Sequence, residues 1–287
     1  MKGKDTLWAN IGAQQFHLPE GKPEAQVFDG IITLSYPKID ELKTRFYQHD
    51  IQNVLSGTKF AMEDISTSSS NEIMLTDPWG SKFKIIPAAL GEMKDCRGVQ
   101  KGDASEGIGM KDLTLYVPIQ TNFGGIARFY QDVMGAPILF NDNSRCCIVS
   151  VGPSQTMTFM EHPDRESSVD AHVDLREEPE SVDDGKPFSV SNYGPHISIY
   201  VSDIRSTYKK AEALGVTYVN PRYKRRAYNE DEAVDDCMFR CIDIVDPEDV
   251  ESGPILKLEH EVRSVLKRDG SRYSSCPFND IPEGCVI

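Results

Sequence analysis

The apolar positions of this chain fall into two alternating patterns that recur in a fixed order. Asp112-Leu-Thr-Leu-Tyr-Val117 and His196-Ile-Ser-Ile-Tyr-Val201 alternate with the period of two that a half-buried strand requires. Leu113, Leu115 and Val117 share one face of the first strand, and Asp112, Thr114 and Tyr116 share the other. In the second strand His196, Ser198 and Tyr200 form the polar face. Ile31-Ile-Thr-Leu-Ser-Tyr36 is a third version. A helical stripe follows each strand. The stripes are Phe123, Ile126, Tyr130, Val133 and Met134; Ile204, Tyr208, Ala211 and Leu214; and Ile39, Leu42 and Phe46. The first two end at Gly135 and Gly215, which suit a left-handed C-terminal cap, and Pro37 sits near the start of the third.

Short strands come next. Cys146–Val151 and Met157–Glu161 follow the first helix, Phe239–Val245 and Ile255–Glu259 the second, and Ile73–Thr76 and Lys82–Ile86 the third. Asp77-Pro78 and Asp246-Pro247 supply turn chemistry before the last strands. The repeating unit is a strand, a helix, then two or three antiparallel strands, at 26–90, 108–163 and 190–262. Leu7–Ile11 and Gln14–Leu18 read as only the closing strands of another copy. Either the chain starts inside a module or the sequence is truncated. The expected organisation is an N-terminal half at 1–92, a linker at 93–107, a C-terminal domain at 108–265 and a tail at 266–287.

A length of 287 residues suits two domains. The formal net charge is −14, which argues against nucleic acid and anionic membrane as partners. No run of 18 apolar residues is present, and Met1-Lys-Gly-Lys-Asp-Thr6 lacks the apolar centre of a signal peptide. Seven cysteines, an odd number without a C-x-x-C pair, read as reduced thiols of a cytoplasmic protein. Much of the acidity is local, in the 163–193 connector, read as solvated, and in the 230–236 run. Arg222-Tyr-Lys-Arg-Arg-Ala-Tyr228 is a basic, aromatic island that keeps a small anionic ligand in play, or else is a solvated hairpin.

Four features, in this order, carry a family resemblance: Phe129-Tyr-Gln-Asp-Val-Met-Gly135, Gly194-Pro-His-Ile-Ser-Ile-Tyr-Val201, Ala213-Leu-Gly-Val216 and the Asp-Pro turns. Together they resemble the vicinal-oxygen-chelate superfamily, with its glyoxalase, fosfomycin-resistance, extradiol-dioxygenase and bleomycin-resistance branches. Gln15-Phe-His-Leu-Pro-Glu20, within Leu7–Gly30, looks like a glyoxalase-like subgroup with two paired-module halves. The resemblance implies an α+β fold of repeated βαβββ modules. The modules would pair into two curved half-barrel sheets, with the helices outside and a concave cavity within. It implies ligands from the first residue of each opening strand and from one residue of each closing strand. The opening positions are Ile31, Asp112 and His196; the closing positions are His17, Lys84, Phe159 and Lys257. A slip of one pleat brings Glu161 and Glu259 to the last two, since a two-residue shift keeps the face.

His17, Ile31 and Lys84 cannot hold a divalent metal together, so the N-terminal half carries no metal. In the C-terminal half the resemblance implies Asp112, His196, Glu161 and Glu259 as ligands of Zn, Mn, Fe, Ni or Mg. Glu161 and Glu259 would also be the carboxylates that move a proton. Tyr116, Tyr200 and Thr114 would face the substrate, and Lys257 would anchor its anionic group. Against the metal stand Phe159 and Lys257 where carboxylates belong, and an Asp where His or Gln is usual. Three readings stay open. One is a metal-dependent glyoxalase-like lyase or isomerase, with a ring-cleaving dioxygenase as its variant. Another is a metal-free small-molecule-binding protein. The third is an assembly protein, a swapped homodimer whose missing strand comes from another chain. His49, His162, His172 and His260 have no partner at ligand spacing and read as structural or surface residues.

Overall fold

The computed structural model describes residues 6–12, 14–19, 25–48, 51–89, 106–143, 145–152, 154–177, 190–266 and 269. These fall into two compact units divided between Thr114 and Leu115.

The first unit opens with a hairpin of β1 (Thr6–Ile11) and β2 (Gln14–Pro19), in which Ala9 lies opposite Phe16. A full module follows: β3 (Gly30–Tyr36), α1 (Ile39–Gln48), the short α2 (Ile51–Val54), β4 (Ala61–Asp64), β5 (Ile73–Thr76) and β6 (Lys82–Pro87). β3 runs parallel to β6, while β4, β5 and β6 are antiparallel neighbours. Ile32, Leu34, Ile39, Ile73 and Ile85 form the core, with Ile11 of the hairpin among them. Burying such side chains contributes roughly 1.5–3 kcal/mol each. Asp77 works as its dipeptide predicts. Its Oδ1 accepts from the backbone N–H groups of Trp79, Gly80 and Ser81, at 2.9, 2.6 and 2.8 Å.

The strand β7 (Gly109–Val117) leads into the second unit. There α3 (Phe123–Phe129) continues as a π-helical turn, Tyr130–Met134. Then come β8 (Ile138–Asp142), β9 (Cys146–Gly152) and β10 (Gln155–Glu161). A small ladder of β11 (Leu175–Glu177) and β12 (Val190–Asn192) precedes the last module. That module holds β13 (His196–Val201), α4 (Ile204–Ala213), β14 (Thr217–Tyr218), α5 (Glu230–Asp235), β15 (Met238–Val245) and β16 (Pro254–Ser264). Its sheet order is β13-β16-β15-β14, opening strand beside last strand, the same order as β3-β6-β5-β4. The α+β architecture of repeated modules with curved sheets is therefore as the repeated units and the resemblance together implied.

Local chemistry explains the helix ends. Asn122, Asp203 and Asn229 each accept a backbone N–H three residues on, as N-caps. Gly135 and Gly215 sit at φ 68° and 71°, the left-handed caps that the sequence placed there. The acidic 230–236 run is largely α5. Glu230, Asp231 and Glu232 occupy its first turn, where the helix dipole favours negative charge. Asp246 does more than turn the chain. Its carboxylate accepts from Arg128 Nε (2.8 Å), Arg128 Nη2 (2.5 Å) and Asn122 Nδ2 (2.8 Å), tying α3 to the β15–β16 turn. Among the described residues no helix is long and apolar enough to cross a membrane. Cys146, Cys147, Cys237 and Cys241 are free thiols; Cys96, Cys276, Cys285 and His49 lie outside the described residues.

Candidate functional site

β16 sorts its side chains by alternation into an apolar face and a charged one. Leu256, Leu258, His260 and Val262 share the face that packs on the helices, where the His260 ring lies 5.7 Å from that of Tyr130. His260 Nδ1 lies 2.7 Å from the Leu258 carbonyl and so carries the proton, leaving Nε2 to accept from the Tyr130 hydroxyl at 2.7 Å. Burial pushes His260 down to about 4. This pair is structural, as expected of His260.

The other face of β16 carries Lys257, Glu259, Glu261 and Arg263. His196 on β13 is the direct register partner of Glu259, and Ser198 that of Glu261. From β15, opposite Glu261, comes Arg240. Arg240 is 5% exposed, Glu259 0% and Glu261 4%. Arg240 Nη1 donates to Glu259 Oε1 at 2.5 Å, and Arg240 Nη2 donates to Glu261. Glu259 Oε2 accepts from Asn192 Nδ2 (2.8 Å) and Asn220 Nδ2 (3.0 Å). Glu261 accepts in addition from Arg263 and from Ser198 Oγ. The Tyr223 ring lies 3.8 Å from the Arg240 guanidinium, and the Tyr223 hydroxyl sits 3.3 Å from His196 Nδ1.

The charges shape one another. Burial alone would raise the Glu261 carboxyl, but Arg240, Arg263 and His196 outweigh it and hold it low. Burial lowers His196, Arg240 lowers it further, and Glu259 and Glu261 offset only part of this. His196 is therefore biased to the neutral imidazole.

The remaining sequence-derived site residues lie elsewhere. Glu161 shares a face of β10 with Phe159, whose ring is 5.3 Å from that of Tyr130 on the helix side. Its Oε1 accepts from the Gln120 backbone N–H at 2.6 Å. Glu161 and Glu259 thus do not occupy equivalent faces, because the two closing strands differ in phase by one residue. Asp112 belongs to the first unit, where its Oδ2 accepts from Thr114 Oγ1 at 2.6 Å. Tyr116 is buried edge-on against His162, with ring centres 4.4 Å apart. Lys257 Nζ lies 2.8 Å from Asp170 Oδ1. In the first unit Lys84 pairs with Glu72 at 2.8 Å, and His17 Nε2 lies 2.7 Å from Gln15 Oε1. Tyr200 is 40% exposed and lines a cavity of about 370 Å³ along β13, with Tyr130, Met134, Pro137, Val151 and Ile199.

The donor set does not fit the divalent metal that the family resemblance implies. Such a metal needs free carboxylate lone pairs and no competing cation beside it. Both oxygens of Glu259 are already accepting, and the cation between the two carboxylates is a guanidinium. Among the described residues no group of three or more His, Cys, Asp or Glu side chains is placed to hold a metal ion.

Arg240, Asn192 and Asn220 were not singled out in the sequence, and Tyr223 only as part of the basic island. One signal was available for Arg240, a lone cation in the otherwise apolar run Met238-Phe-Arg-Cys-Ile242. Tyr223 lies in the basic island, whose first arginine is not simply solvated. Arg222 lies 3.8 Å over the Tyr193 ring and donates to the Asn192 carbonyl at 2.9 Å.

No protein-family model matches the chain, and no curated protein matches it. Solved structures do. Glyoxalase I from Zea mays is 10% identical, covers 87% of this chain and 73% of its own, and has a TM-score of 0.46. Lactoylglutathione lyase from Agrobacterium tumefaciens is 14% identical over 54% of this chain and 92% of its own, at a TM-score of 0.29. Methylmalonyl-CoA epimerase from Mycobacterium tuberculosis is 11% identical over 49% and 92%, at 0.28. Solved structures similar to this chain thus include a glyoxalase I, a lactoylglutathione lyase and a methylmalonyl-CoA epimerase.

Proposed function

We propose that this chain is a metal-independent small-molecule-binding protein on glyoxalase-like modules, with its site in the second unit. One observation carries the reading. The carboxylate at the closing-strand position, Glu259, is buried and committed to Arg240, Asn192 and Asn220. In that state it serves neither as a metal ligand nor as a proton carrier, which removes the parts a metal-dependent lyase needs. The cavity beside Tyr200, of about 370 Å³, is lined by Tyr130, Met134 and Ile199 and by none of Glu259, Arg240 or Arg222; its volume suits a small molecule.

The test is thermal unfolding of the full chain with a panel of small carboxylates, phosphate esters and neutral analogues, with and without EDTA. A ligand at 100 times its Kd stabilises the native state by about 2.7 kcal/mol. The expected result is a rise in midpoint that chelator leaves unchanged and Tyr200→Ala reduces. A rise that requires added divalent metal would restore the lyase reading.

A further inference from the structure

We propose that the open edge of β13 pairs with β13 of a second copy of this chain, antiparallel, in a two-fold dimer. The inference stands apart from the ligand reading above, because a monomer overturns it whether or not a ligand binds.

The precedent lies inside the chain. Three opening strands share one pattern: Ile31-Ile-Thr-Leu-Ser-Tyr36, Asp112-Leu-Thr-Leu-Tyr-Val117 and His196-Ile-Ser-Ile-Tyr-Val201. β3 and β7 are neighbours in one sheet. Within the first unit their contact runs antiparallel. The Ile108 N–H donates to the Ser35 carbonyl at 2.9 Å, while at the other end the Thr114 carbonyl sits against Gly30, where a Cβ would lie 1.9 Å from it. Each of these opening strands therefore covers the outer edge of the other. β13 is the last strand of its sheet, with β16 on one side and no strand on the other among the described residues.

Burial differs in the same sense. Thr33 and Thr114, third in the pattern, are each 9% exposed, whereas Ser198, third in β13, is exposed. Leu34 and Leu115, fourth in the pattern, are buried, whereas Ile199 is half-buried. The Val201 carbonyl accepts from the Val265 N–H on the β16 side, so by alternation the backbone N–H and C=O of Ser198 face the open side. Open edges are usually blunted by lysine, proline or a bulge. β13 has no lysine, no proline and no break in register. The chain's own precedent names the occupant as another opening strand. Two identical antiparallel strands are related by a two-fold axis, so the contact closes at two copies and leaves neither edge open. The cavity beside Ile199, Tyr200 and Val201 lies along this same strand, so the second copy borders the proposed binding site.

Light scattering on the full-length chain at rising concentration is expected to give twice the mass of one chain. Ser198→Pro removes an outward donor at a place where an edge strand tolerates proline. Ser198→Lys puts a charge on the edge. Both are expected to give the mass of one chain with unchanged circular dichroism, and Ser198→Ala, which keeps the backbone donor, to stay at two. If Ser198→Pro fails to fold, Ser198→Lys decides alone. A monomeric wild type, a mass above two chains, or a dimer that the folded proline and lysine variants leave intact overturns the proposal.

Discussion

Burying a guanidinium and two carboxylates under one sheet costs several kcal/mol in lost hydration for each ion, and the cost is offset only while every charge keeps its partner. Arg240→Met should therefore destabilise the second unit by about 3–5 kcal/mol in buffer containing chelator, measured by urea unfolding. A loss under about 1 kcal/mol would mean that the pair is solvated rather than buried. His260 gives a second prediction at this scale. Its folded value of about 4 lies below the ordinary 6.5, so the unfolded chain binds the proton first. The stability that His260 contributes is complete above about pH 6.5 and is lost as pH falls toward 4, by up to about 3 kcal/mol. His260→Gln should flatten unfolding free energy against pH in that window; an unchanged slope would show that other groups carry it. Both effects were hard to read from sequence. His260 carries no mark that separates a core histidine from a ligand, and Glu259-His260 repeats Glu161-His162 by letter while the strands differ in phase. Only the partners, Tyr130 for one and Arg240 for the other, decide the roles.

Elements were more legible than residues. Opening strands, helix stripes and glycine caps follow from a period of two, a period near 3.6 and a left-handed φ, all local properties. His196–Val201 was placed to the residue. Short strands such as β14, and the helix α5, escaped because two residues carry no periodicity and an acidic run looks like solvent until Asn229 caps it. The Asp-Pro landmarks marked turns correctly, but the aspartates serve different ends. Asp77 holds its own loop, whereas Asp246 clamps α3 through Arg128 and Asn122. The Arg128 contact holds the Asp246 carboxyl down at about 2. Asp246→Asn should cost about 1.5–3 kcal/mol, the usual value of hydrogen bonds to a charged group. The part due to charge should vanish as pH falls through about 2. Asp77→Asn should cost less, because an amide oxygen still accepts the three backbone N–H groups. Equal losses for the two variants in calorimetry would deny the clamp.

At the scale of the whole molecule, the fold selects no reaction, because one module architecture supports many. The net charge of −14 described the surface and said little about the site, where two arginines balance two glutamates beneath neutral tyrosines. What the sequence could not supply was the register of β15 against β16, which brings a cation from one strand between carboxylates of the next. Long-range register of that kind depends on packing and bulges rather than on local pattern. The central claim, that this face is occupied by an arginine and works without metal, has a direct test. Full-length protein is expressed with Zn, Mn and Ni supplied, purified without chelator and analysed for metal content. The account predicts less than about a tenth of an ion per chain, since the donors of a mononuclear site are already engaged. About one ion per chain that His196→Ala removes would contradict it.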